Sequence, residues 1–186
     1  HWTQLGAYYV YQKLCEQMGI QPVDLNGQEA MTFEGFLGSY YTQLHNDDMA
    51  ANPDVVEAHI PNGTNDMTYW DKDGNEVQGH VITDVEGWNK ASLYSTFAAG
   101  DQVLEHIHND TLDDGSSCLV VKDSFGCAFI PLLVDNFEDI YVIDFRYSDE
   151  NIPAFVQEHG IQNVVFVNNI SLAGTNSVAD KLTSMM

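Results

Sequence analysis

The chain has 186 residues, long enough for one domain with a sizeable core and short for two ordinary ones. At 44% hydrophobic and 11% aromatic it is not the composition of a disordered chain. Six Lys and Arg against 28 Asp and Glu leave a formal charge of −22, which disfavours nucleic acid and docking onto anionic lipid, because both need clustered cations.

The chain starts at His1-Trp2 with no initiator Met, which reads as a fragment or processed product, so any anchor or export signal is expected upstream. No apolar run reaches the length of a membrane span. TQLGAYYVYQKLCEQM (3–18) predicts a helix: Thr3 caps it, Leu5, Tyr8, Tyr9, Leu14, Cys15 and Met18 recur at roughly helical spacing, and Gly19 suits a left-handed end. Residues 21–50 are mixed, with a turn or short helix around HNDDMA (45–50). The stretch 53–86 reads as a β-rich insertion. VVEAHI (55–60) alternates, and MTYWDKDGNEVQGHVI (67–82) has the Asp73-Gly74 signature of a hairpin. DKDGNE (71–76) starts like a calcium loop but has Glu76 where that loop needs Gly, so a hairpin turn is expected.

Residues 92–108 predict a helix interrupted at Gly100-Asp101. CLVV (118–121) predicts a buried strand, and FGCAFIPLLVDNF (125–137) a helix that Pro131 kinks or starts. DIYVIDF (139–145) predicts a strand, then comes a helix from Ser148 or Asp149 to His159 closed by Gly160, then the strand NVVFVN (163–168). Continuous apolar strands alternating with helices imply an α/β fold, a flavodoxin-like parallel sheet flanked by helices, with the hairpin inserted. One domain, 1–186, is expected. Such sheets place ligands at the carboxyl ends of their strands, where KDS (122–124), RYS (146–148) and NN (168–169) stand.

Ser124, between a buried strand and a helix, is either a nucleophile or a plain helix cap. Arg146 is either an anion or sugar ligand or a partner of Asp144 or Asp123. Asn168 and Asn169 are candidate oxyanion donors or simple strand terminators, with Asn168 preferred. His106 and His108 stand two apart near Asp110. On the expected helix they would diverge by about 200°, so no metal site is predicted. His45, His59, His80 and His159 read as surface groups. Cys15, Cys118 and Cys127 fit no disulfide framework or zinc pattern, and Cys118 and Cys127 would pair only if the fold brought them together.

His1-Trp2 with GAYYVYQ (6–12), KDSFG (122–126), YVIDFRY (141–147) and VVFVNN (164–169) together resemble the bacterial family named for its Asp-His-His-Trp motif. That family is similar to the alginate O-acetyltransferase-like branch of the SGNH hydrolase superfamily. There an Asp-x-His-Trp motif precedes the serine block. The resemblance implies an SGNH-type fold with Ser124 as nucleophile, His1 as general base, Asn168 and Arg146 at the oxyanion or substrate, and Asp123 as the Asp of the serine block. It further implies acyl-ester hydrolysis or O-acetyl transfer on a cell-envelope polysaccharide or acylated small molecule, without metal or cofactor, in an extracytoplasmic protein. Two departures stand out: the acid of the motif would precede His1, and Lys122 stands where the serine block has Gly. Both favour the alternative, a non-catalytic envelope protein that binds glycan.

Overall fold

In the computed structural model, which describes residues 1–172 and 174–186, α1 (Gln4–Met18) leads into β1 (Ala30–Phe36), α2 (Ser39–Leu44) and α3 (Asp47–Ala51). Four strands follow: β2 (Asp54–His59), β3 (Asp66–Trp70), β4 (Glu76–His80) and β5 (Leu104–His108). The last third alternates β6 (Ser117–Lys122), α4 (Ile130–Leu133), β7 (Asp139–Asp144), α5 (Ile152–His159), β8 (Asn163–Val167) and α6 (Asn176–Ser184).

All six residues of β6 are buried. Alternate side chains serve two separate cores: Cys118 and Val120 face one with Ala7, Tyr11, Phe129 and Leu133, while Leu119 and Val121 face the other with Phe155, Ile161 and Met185. A strand covered on both faces has no polar side, which is why its sequence runs apolar without alternation. Each such buried aliphatic side chain contributes roughly 1.5–3 kcal/mol relative to exposure.

The main sheet has six strands in the order β4-β3-β5-β7-β6-β8. β7, β6 and β8 are parallel, and β5, β3 and β4 continue the sheet antiparallel. The fold is therefore mixed α/β, and the expected all-parallel sheet covers only half of it. The hairpin turns at Asp71–Asn75, where the Asp71 carboxylate accepts from the Asp73 and Asn75 N–H groups, and it extends the sheet as an edge. β2 lies elsewhere, paired with β1 in a two-stranded sheet that the mixed sequence of residues 21–50 did not reveal.

The helix expected over 92–108 is absent. Residues 93–96 make a 3-10 turn, Ala98, Ala99 and Gly100 all take positive φ, and β5 follows. Successive left-handed residues end any helix. The 125–137 stretch holds one short α-helix, α4, continued by a 3-10 turn over Val134–Asn136, and Pro131 sits in the first turn of α4, where its missing N–H costs nothing. α1 matches its expected span, with Thr3 Oγ1 accepting from the Gly6 N–H at 3.1 Å and Gly19 left-handed at φ 70°. α5 starts at an Asn151 cap, slightly later than Ser148 or Asp149. Cys15, Cys118 and Cys127 are all free thiols.

Candidate active site

The Thr3 cap starts α1 and leaves His1 and Trp2 extended ahead of it. Trp2 Nε1 donates to the Phe125 carbonyl at 2.8 Å, fastening the N-terminal segment to the turn that follows β6. His1 Nε2 then lies 2.9 Å from Ser124 Oγ, across 123 positions of chain. The imidazole stacks on Tyr94 with ring centroids 4.2 Å apart and planes 15° from parallel, and Phe125 flanks it at 5.4 Å. Tyr94 is held in turn by Phe36 and Phe97. No carboxylate among the described residues contacts the His1 ring.

Ser124 is partly buried in a turn shaped by its neighbours. Buried Asp123 accepts from the Phe125 N–H through Oδ1 and from the Asn169 N–H through Oδ2, each at 2.8 Å. It thereby ties the serine turn to the end of β8. The Gly126 N–H returns to the Asp123 carbonyl. Among the described residues the Ser124 N–H donates to no acceptor. That amide belongs to Ser124 itself, so it is available to donate to an anion bound beside Oγ.

Asn168 lines a cavity of about 430 Å³ with Trp2, Leu14 and Phe129, and its Oδ1 is buried without a partner among the described residues. The Asn169 side chain accepts from the Ser171 N–H. Arg146 realises its pairing alternative. Nε and Nη2 grip both Asp144 oxygens, and Nη2 also reaches Asp101 at 2.8 Å; the partner is Asp144 rather than Asp123. Beside His1 opens a pocket of about 330 Å³ walled by Trp2, Phe36 and Tyr94, with Asp54 and Glu57 on its rim.

Lys122 is fully buried directly before Asp123-Ser124. Its ammonium donates to the Gly100 carbonyl at 3.0 Å and the Cys127 thiol at 3.2 Å. It lies 3.5 Å from Asp144, 3.6 Å from Glu105 and 3.7 Å from Asp101, ion-pair distances longer than a good hydrogen bond. Burial pushes the Glu105 carboxyl up to about 8 despite the opposing Lys122 charge. Burial works against the Lys122 charge as well. The group is nevertheless held above its ordinary value by Cys127, Glu105, Asp144 and Asp101. Two cations, Lys122 and Arg146, thus stand among three carboxyl groups beneath the serine turn. Burial raises the Cys127 thiol to about 12, which leaves it no nucleophile.

Sequence reasoning missed Tyr94 and this charge network. A signal for the network existed: a Lys ending an apolar run must meet buried carboxylates, and Glu105 and Asp144 both sit within apolar runs. Nothing local marked Tyr94, since it meets His1 only through the tertiary fold.

Residues 1–143 match the DHHW protein family. A solved DHHW family protein from Eubacterium siraeum DSM 15702 is 31% identical with a TM-score of 0.87, covering 98% of this chain and 61% of that one. Bacillus cereus PatB1 is similar in fold at a TM-score of 0.74, with 23% identity for the protein alone and 21% with a sulfonyl adduct; each covers 92% of this chain. The chain spans 61% and 59% of those two PatB1 chains, so it is about three-fifths the length of the structures it matches. No curated protein matches.

Proposed function

We propose that this chain, which belongs to the DHHW protein family, is a serine-dependent acyl-ester hydrolase or O-acyltransferase of SGNH-like architecture. The observation that carries the reading is the 2.9 Å contact between His1 Nε2 and Ser124 Oγ, with both residues fixed by independent anchors. A nucleophile within hydrogen-bond reach of a base is the arrangement acyl transfer needs.

His1 Nε2 takes the Ser124 hydroxyl proton as Oγ attacks the ester carbonyl. The Ser124 N–H and the Asn168 amide stabilise the resulting oxyanion. The tetrahedral intermediate collapses, the alcohol leaves with the proton from His1, and an acyl-serine remains. Water or a second hydroxyl then attacks, gives its proton to His1, and regenerates Ser124. Asp123 positions the turn, and Arg146 serves the charge balance beneath it. The aromatic pocket beside His1 suits a sugar ring, which supports a polysaccharide substrate; a location in the cell envelope is proposed from the family resemblance alone.

A second reading, a non-catalytic glycan-binding member, is favoured by Lys122, which stands where the serine block has Gly. Hydrolysis of p-nitrophenyl acetate, alongside labelling by a sulfonyl fluoride, separates the two. Ser124→Ala is expected to lower the rate by about a thousandfold or more and abolish labelling at that residue. Equal rates for both proteins would end the nucleophile assignment and leave the binding reading.

A further inference from the structure

The segment carrying His106 and His108 is strand β5, not a helix, and that reverses the geometry expected of this pair. On a strand, residues two apart project from the same face. β5 pairs antiparallel with β7, placing His106 opposite Tyr141 and His108 opposite Asp139. Both rings then converge on one atom: His106 Nε2 lies 2.8 Å and His108 Nδ1 3.0 Å from Asp139 Oδ1. Glu138 precedes Asp139, and one donor atom from each of His108, Glu138 and Asp139 all fall within 4.8 Å of one another.

We propose that His108, Asp139 and Glu138 form a binding site for a divalent transition-metal ion, of which zinc fits the donor set best, with His106 holding the Asp139 carboxylate in place. Imidazole and carboxylate are the ligands zinc accepts, at about 2.0–2.2 Å. Two such ligands at a tetrahedral angle stand roughly 3.3 Å apart, a few tenths of an ångström from the 3.0 Å between His108 Nδ1 and Asp139 Oδ1, while the Glu138 oxygen, within 4.8 Å of both, closes in on binding. The ligands are also braced from behind. His106 stacks on Tyr141 with centroids 4.4 Å apart and planes 8° from parallel. Glu138 Oε2 accepts from the Asp114 and Gly115 N–H groups at 2.9 and 2.6 Å, which fixes the carboxylate. The ion would clip together β5, the start of β7 and the 114–115 turn. Asp139 begins β7 and Asp144, beside Lys122, ends it, so the site stands at the opposite end of the strand from Ser124 and is independent of the acyl-transfer reading.

The test is calorimetric titration of the chelator-stripped protein with zinc chloride, with excess magnesium present because a chain of charge −22 collects divalent ions loosely. The expected result is one saturable ion per chain, bound about tenfold or more weakly by His108→Ala and by Asp139→Asn, and unchanged by Asp73→Asn in the distant hairpin turn. Zinc should also raise the melting temperature of the parent protein but not of Asp139→Asn; circular dichroism of each variant without metal shows that it is folded. Non-saturating uptake of several ions, or equal affinity in His108→Ala, Asp139→Asn and the parent, would overturn the proposal.

Discussion

The two ends of strands β6 and β7 solve opposite problems. At the carboxyl end, Lys122, Glu105 and Asp144 are fully buried, so the Lys122 and Asp144 charges must be balanced inside the protein, with half-buried Arg146 and Asp101 closing the cluster at its edge. At the amino end, Asp139 meets His106 and His108 with side chains 30–51% exposed, where water does much of the balancing. The same pair of strands thus carries a rigid, self-compensated charge cluster beneath Ser124 and a looser, convergent one at its far end. Burial decides how strongly each cluster constrains the chain.

Removing a charge from each end measures that contrast. Lys122→Met leaves Asp144 and Asp101 without their buried cation and should cost about 3–5 kcal/mol in a denaturant titration. A cost below about 1 kcal/mol would show that the two ends do not differ. Glu105→Gln probes the same cluster through pH. The folded state holds a proton on Glu105 up to about pH 8, whereas the unfolded chain releases it near 4.5. The parent protein therefore loses stability as pH rises between those values, by up to about 1.4 kcal/mol per pH unit, and levels off above pH 8. Glu105→Gln should flatten that slope in unfolding curves taken across the range. Gly126→Ala tests the packing around Lys122: an added Cβ would stand 2.4 Å from Lys122 Cβ, so a loss of about 1–3 kcal/mol is expected. At the amino end, Asp139→Asn without metal should cost about 1 kcal/mol or less in the same assay, because its partners are partly exposed.

What was legible in advance follows the range of the forces involved. α1 was readable because its cap, its buried face of Ala7, Tyr11 and Cys15, and its Gly19 end all lie within one short window. β6 was readable because a strand buried on both faces is apolar throughout, and β7 and β8 by their apolar runs, although Val164 and Phe166 of β8 lie exposed on the sheet's edge strand. β5 was not. Its alternation is carried by charged and imidazole residues, with Glu105 buried and His106 partly exposed, and a pattern that counts apolar residues misses a Glu whose burial depends on Lys122 from another strand. β1 escaped for a similar reason, since its partner β2 lies well along the chain across two short helices.

For the site, the motifs around His1 and Ser124 marked both residues, and the sequence alone settled that a polar serine turn ends a doubly buried strand. Their 2.9 Å approach, the Tyr94 platform and the engagement of Arg146 by Asp144 and Asp101 belong to the tertiary structure alone. The reason is physical: helix caps and apolar runs are short-range, written into neighbouring residues, whereas a side-chain contact across 123 positions exists only once the sheet and α1 have packed.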